Sequence, residues 1–431
     1  MELEIGLAII AIFLASLILG LWAFGALALT AVFLLISGAD FSLHKAGIML
    51  AKSTVGASRS WELSAIPLFL LMGELLFRAD LSQRLFNGLA VIFNRVPGGL
   101  MHVNVVGCTT FAAVSGSSAA TTATIGRISV PELTERGYSK SLILGSLAGA
   151  GSFGLLIPPS IAMIIYGVLA EVSIVKLFAA GVIPGLIVAT FYSLYIMVVG
   201  RHEDKTNRPV ADMTALLGLV PIGLLIFLVL GSIYGGIASP TEAASVGVFG
   251  ALLLIIIERR LSWSILKESL AAATQLSCVI GAVVITASAL SSAAGLVGLP
   301  QAIASWFIGL ELSSVSLIFA FALFYIFLGL FLDGISIMVL TLPLTLPIVI
   351  ASGIDPIWFG VFIVLMIEIG LMTPPVGFNL FVIKSISDAS IGDIAKAAIP
   401  FFLIMCGSVI LFSMVPEIVL WLPNYLFTPT G

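Results

Sequence analysis

Charge is the scarcest commodity in this 431-residue chain: Asp, Glu, Lys and Arg make up 9% of it, against 60% hydrophobic residues. A soluble domain carries far more charge, so the composition excludes one and demands many membrane spans. Cysteine is also rare. Cys108, Cys278 and Cys406 lie far apart in apolar surroundings, without the paired spacing of a disulfide framework or metal cluster, and read as small core residues. The net charge of −4 is spread thinly and no basic block occurs, which argues against nucleic acid as a partner. A Walker motif, a His/Glu zinc pattern and Gly-x-Ser-x-Gly are all missing. The start, Met1-Glu2-Leu3-Glu4, lacks the basic opening and small-residue cleavage pattern of a secretory signal, so the first apolar segment is expected to stay.

What is present is a succession of apolar segments. Residues 3–37 are apolar with a weak point at Gly20, and fit either two short spans or one tilted element. Residues 38–62 carry His44, Lys45, Lys52 and Arg59, a pattern suited to an element lying at the membrane interface. Ile66 to Phe77 enters the membrane again, followed by the charged patch Arg78, Asp80, Arg84 and Arg95. The Gly/Ser/Thr-rich stretch 97–125 is bounded by Arg95 and Arg127; positive charge at both ends suggests a hairpin that enters and leaves on one side. A basic loop (127–140), a broken helix (141–170), a span (177–200), the hydrophilic run 201–208 and further spans near 214–233 and 242–257 follow. A basic turn at Arg259-Arg260 leads into another apolar stretch. From residue 268 to residue 383 there is no Lys or Arg, and the acids of note are Glu311, Asp333, Asp355 and Glu368. Trp61, Trp263 and Trp421 sit near segment ends and read as interface anchors.

Two segments share an interruption: Gly154-Leu-Leu-Ile-Pro-Pro-Ser160 and Gly370-Leu-Met-Thr-Pro-Pro-Val376. Adjacent prolines remove two N–H groups from the helical ladder, and freed carbonyls at membrane depth survive only where buried in protein or lining a cavity. They are natural cation or substrate ligands. The two interruptions stand 216 residues apart, and the same offset relates Pro131 to Pro347, Gly137 to Gly353 and Pro184 to Pro400. Agreement of independent breakers at one offset marks a duplication. Loop 127–140 holds three basic residues whereas 343–356 holds none; after the break the bias reverses towards Lys384 and Lys396. Positive loops stay cytoplasmic, so the copies are expected to be inverted relative to each other, the arrangement of a secondary transporter with a midplane site. Energy is then expected from an ion gradient.

The expected fold is an all-α polytopic membrane protein with about 11 spans plus two re-entrant hairpins. Its expected divisions are scaffold helices and an interfacial arm at 1–95, a first hairpin and broken helix at 96–176, scaffold helices at 177–311, a second hairpin and broken helix at 312–396, and a last scaffold helix at 397–431.

The first hairpin tip reads Phe111-Ala-Ala-Val-Ser-Gly-Ser-Ser-Ala-Ala-Thr-Thr-Ala-Thr-Ile-Gly126, with eight Ser or Thr residues between Thr109 and Thr124. Ser117-Ser118 beside a glycine offers hydroxyls and open carbonyls, hard ligands suited to Na⁺; close helix packing through small residues is the competing role. The offset maps Ser117 onto Asp333, an intramembrane acid that is functional by default and could equally cap the helix it begins. Glu368 could relay protons or pair with a buried hydroxyl. Asn379 could present its amide to a substrate or bond a neighbouring helix. Ser239-Pro-Thr-Glu242 fits a capping box and is assigned to structure.

At Val114-Ser-Gly-Ser-Ser-Ala-Ala-Thr-Thr-Ala-Thr-Ile-Gly126, Leu156-Ile-Pro-Pro-Ser160, Ala238-Ser-Pro-Thr-Glu-Ala-Ala244 and Met372-Thr-Pro-Pro-Val-Gly-Phe-Asn-Leu380, the chain resembles the large membrane subunit of tripartite ATP-independent periplasmic (TRAP) transporters. The likeness runs from about residue 60 to 410. It implies an elevator mechanism in a bacterial inner membrane, with Na⁺ at two sites or more, an organic acid such as a C4-dicarboxylate or sialic acid, a small four-helix membrane subunit and a periplasmic binding protein. Carried over by motif, one sodium site uses Ser115 and Ser117 with Gly154, Ile157 and Pro159. The second uses Gly334 and Ser336 with Gly370, Thr373 and Pro375. Substrate is expected near Ser117, Ser118, Asp333 and Asn379. Some members of the family carry a hydroxyl where this chain has Ala162, so substrate identity does not transfer. A self-sufficient Na⁺/dicarboxylate carrier of the same architecture is the competing reading, and an intramembrane enzyme using Asp333 or Glu368 a remote one, since neither acid has a second acid, His or nucleophile at helical spacing.

Overall fold

A computed structural model describes residues 2–79, 82–202, 213–309, 313–375 and 377–427. Asp80, Glu311, Val376 and most of the 201–208 loop lie outside the described residues. Among those described, every regular element is a helix. The first half contains α1 (Glu2–Ile18), α2 (Ala23–Gly38), α3 (Leu43–Ser58), α4 (Ala65–Arg78), α5 (Ser82–Phe93), α6 (His102–Ser115), α7 (Ser118–Glu135), α8 (Lys140–Gly151), α9 (Ile161–Leu169) and α10 (Ile174–Val199). The second contains α11 (Val220–Tyr234), α12 (Pro240–Ile257), α13 (Trp263–Val297), α14 (Leu299–Gly309), α15 (Ser314–Gly329), α16 (Gly334–Ala351), α17 (Pro356–Leu371), α18 (Phe378–Ser385), α19 (Ile391–Met414) and α20 (Glu417–Phe427).

The duplication extends further than the breaker residues alone indicated. At the offset of 216, α1 falls on α11, α2 on α12, and each helix from α5 to α10 on its counterpart from α14 to α19. The continuous α13 covers what α3 and α4, bent by 59°, divide between them. Local chemistry explains the agreement. Ser117 caps α7 and Asp333 caps α16, each accepting from the backbone N–H three residues on; Ser139 and Asp355 cap α8 and α17 likewise. Gly137 (φ 79°) and Gly353 (φ 71°) take the left-handed conformation just past α7 and α16, where a side chain would be strained.

Residues 3–37 form two helices, turned at Gly20 (φ 84°). Among the described residues six helices are long and apolar enough to cross a bilayer, or seven if the bent Leu43–Ser58 and Trp61–Arg78 pair is one span. The other apolar helices, among them Ala23–Gly38, Ser314–Gly329 and Pro356–Leu371, are shorter; the last two end at the second tip and the second break. Ser239 and Glu242 form the expected capping box. Trp61, Trp263 and Trp421 are exposed; of the three cysteines expected in the core, Cys108 is buried, Cys406 is half-buried and Cys278 is exposed, which corrects that reading for Cys278.

Candidate functional site

The first hairpin tip is packed directly on the first break. After α8, a short turn over Ser152–Gly154 leads into an unwound segment that ends where Ser160 caps α9. The segment closes on itself through Leu156 and Ile157 N–H groups donating to the Phe153 carbonyl (3.1 and 2.9 Å) and the Ser160 hydroxyl donating to the Leu155 carbonyl. Pro158 and Pro159 donate nothing, and among the described residues no donor reaches the Ile157 or Pro159 carbonyl. Residues 156–160 are buried. Gly154 is the contact point: a Cβ there would lie 2.3 Å from the Ser117 carbonyl carbon and the Ser118 nitrogen. Gly116, left-handed at φ 59°, approaches the Pro159 carbonyl in the same way. Ser115, Ser117, Gly154 and Pro159 are thus brought together, with Ile157 beside them against Gly185 of α10. Hard oxygens, unpaired carbonyls and exclusion of water suit a small monovalent cation.

Sequence reasoning missed two supports of this tip. Thr121 exchanges a 2.8 Å hydrogen bond with Ser115, and Gly73 of α4 brings its backbone against Ser115, where a Cβ would stand 3.0 Å from Ser115 Cα. Thr121 lies inside the hydroxyl-rich motif, one helical turn past Ser117, which was a usable signal; nothing local marks Gly73.

The second tip and break are assembled differently. Gly334 meets Ile367, and Gly329 meets Gly370 backbone to backbone, so the two glycines that flank the tip, where α15 ends and α16 begins, touch the last turns of α17, while Asp333 between them stays exposed. Thr373 is committed locally: its hydroxyl donates to the Ile369 carbonyl (2.7 Å) and its carbonyl accepts from Gly377 N–H (3.0 Å). Ser336 N–H donates to the Asp333 carboxylate at 3.1 Å. Asp333, Pro374 and Pro375 are exposed, whereas Pro158 and Pro159 are buried. Of the roles open to Asp333, the cap of α16 is the one realised, from an exposed position. Both double-proline bonds, Pro158-Pro159 and Pro374-Pro375, are cis.

Ser118 and Glu368 link the copies. The Ser118 hydroxyl reaches the Ser152 carbonyl (2.9 Å) and both Glu368 oxygens (3.1 and 3.3 Å), and Leu155 N–H donates to the same carboxylate (3.0 Å). Of the two roles open to Glu368, pairing with a buried hydroxyl is realised. Asn379, at the start of α18, is fully buried, and both its amide atoms lack a described partner. Thr122 of α7, a helix packed against α18, has an equally unpaired buried hydroxyl. Nature rarely leaves such groups unpaired without a ligand or water to meet them. No hydrogen bond among the described residues joins Asp333 to Ser117, Ser118 or Asn379. A separate pocket of about 470 Å³, lined by Ser60, Glu62, Glu171, Ser173 and Pro240, lies at the far end of α9 from the break.

Broken helices with unpaired backbone in an all-helical, apolar chain fit a membrane transport protein. The profile described as "Tripartite ATP-independent periplasmic transporter, DctM component" matches residues 8–418. The chain is 34% identical over 386 residues to the C4-dicarboxylate TRAP transporter large permease protein DctM of Pseudomonas aeruginosa, covering 88% of this chain and 90% of that one. It is 32% identical over 365 residues to the isethionate TRAP transporter permease protein DctMQ of Oleidesulfovibrio alaskensis, covering 83% of this chain and 58% of the relative. The crystal structure of the Alcanivorax borkumensis YdaH transporter, described as having an unusual topology, superposes with a TM-score of 0.67 at 13% identity over 93% of this chain and 98% of that one; it supports the fold. The protein belongs to the TRAP transporter large permease (DctM) family and resides in the inner membrane.

Proposed function

We infer that this permease imports a small organic anion by Na⁺ symport, receiving it from a periplasmic binding protein and working beside a small four-helix membrane subunit. One observation carries the reading: a buried, unwound segment whose Ile157 and Pro159 carbonyls are unpaired is packed against the Ser115–Ser117 tip. Such a site suits Na⁺, with Ser115, Ser117, Gly154, Ile157 and Pro159 as the first ligand set. Gly334, Ser336, Gly370, Thr373 and Pro375 form the second, completed when the open tip closes on its break. Four helices, α7, α9, α16 and α18, begin at the tips and breaks. Their positive N-terminal ends favour an anion, and the unpaired Asn379 amide offers it a donor. Relatives are named for C4-dicarboxylate and isethionate and others for ectoine; the helix ends and the Asn379 amide favour the acids among these. The 96–176 and 312–396 elements move as one body past the remaining helices, carrying site and cargo together.

Uptake into vesicles reconstituted with both membrane subunits tests this. It should require an inward Na⁺ gradient and the binding protein, and Asp333→Ala and Ser117→Ala should abolish it while the protein remains folded. Uptake without any binding protein, or normal uptake by both variants, refutes the reading.

A further inference from the structure

Glu368 has no task in the reading so far. Its carboxylate is fully buried on α17, and its described donors include the Leu155 N–H and the Ser118 hydroxyl. Ser118 has one proton, for which the Ser152 carbonyl also competes at 2.9 Å. The Ser152 side chain is a further hydrogen-bond partner; a carboxylate offers lone pairs for about four donors, so these still leave it under-satisfied. The described ion pairs join Arg78 to Glu74 and Glu268, Arg84 to Glu258, and Arg136 to Glu132; none reaches Glu368, and its own stretch of chain has no Lys or Arg from 268 to 383. A buried carboxylate without a fixed cation is costly. A mobile cation would relieve it.

The position of the acid says which cation site it serves. Ser118 follows Ser117, and Leu155 follows Gly154, so these two hydrogen-bond partners adjoin ligands of the first sodium site. The equivalent of Glu368 in the first copy is Ser152, so the duplication supplies this charge on one side only. We propose that Glu368 is a positioning residue for the first sodium site, contributed by the opposite repeat. Its negative charge complements an ion otherwise held by neutral oxygens, and its hydrogen bonds to Ser118 and Leu155 keep the hairpin tip seated on the break. Because Glu368 stands two residues before Gly370, occupation of the first site is transmitted to the second break through α17, and the two ions bind cooperatively. The proposal rests on the sodium reading above.

Sodium-dependent melting of the purified permease, with choline as the control cation, separates the two. The wild type should be stabilised by Na⁺ with a Hill coefficient above one. Glu368→Gln keeps the shape and removes the charge; its sodium midpoint should rise at least tenfold and its Hill coefficient fall towards one, while a merely structural tie would change only the sodium-free melting temperature. Ser118→Ala, which keeps the charge and removes one bond, should raise the midpoint about threefold, and serves if Glu368→Gln does not fold. Unchanged midpoints in the variants that fold overturn the proposal. If Ser117→Ala loses the sodium response while Glu368→Gln keeps it, the sodium site stands and the role of Glu368 falls. A wild type indifferent to Na⁺ removes both.

Discussion

Gly154→Ala is the smallest change that addresses the first site. The added methyl would lie 2.3 Å from the Ser117 carbonyl carbon and Ser118 nitrogen and 2.5 Å from the Ser117 oxygen. All three are backbone atoms, so no side chain can rotate aside, and restoring contact of 3.4 Å requires a relative movement of tip and break of roughly 1 Å. Overpacking of this kind costs about 1–3 kcal/mol. A ligand cage displaced that far loses one or more oxygens, and each 1.4 kcal/mol lost is about tenfold in affinity. The expected result is a sodium midpoint raised about ten- to thirtyfold in melting experiments, with sodium-driven vesicle uptake falling in parallel. Gly407→Ala is the control: nothing lies within 4 Å of its Cβ position on α19, so the same substitution should stabilise the protein by about 0.5–1 kcal/mol and leave sodium binding unchanged. Gly370→Ala, where the methyl would meet Gly329 Cα at 3.0 Å, should fall between them. A Gly154→Ala protein that binds sodium like the wild type would refute the argument that tip and break form one cage.

Asn379→Leu removes a buried amide with no described partner, so it should raise the melting temperature of the ligand-free protein, by about 1–3 kcal/mol of relieved desolvation, while weakening substrate binding; lowered stability with intact uptake would count against a ligand role. Pro159→Ala gives the break a new N–H that competes for local carbonyls, and should impair sodium coupling as measured by the sodium dependence of uptake. Ser239→Ala removes the cap and box of α12 and should cost about 1 kcal/mol in melting experiments without altering the sodium midpoint.

The interruptions and the copy number of this protein were decided by its one-dimensional string. Double prolines cannot continue a helix anywhere, and caps such as Ser117 and Asp333, or left-handed glycines such as Gly137 and Gly353, act through their own few neighbours. Local rules repeated at a fixed offset therefore place two tips and two breaks before any packing is known. What they cannot contain is which tip meets which break. Ser118 and Glu368 are 250 residues apart, and their bond, like the Gly73 approach to Ser115, exists only because distant helices are pressed together. The two copies obey the same local rules, yet the first tip is sealed on its break while Asp333 and Pro375 stand open. That difference comes from packing: Gly154 meets the backbone of Ser117 and Ser118, whereas its counterpart Gly370 meets Gly329, where α15 ends, and Asp333 remains exposed.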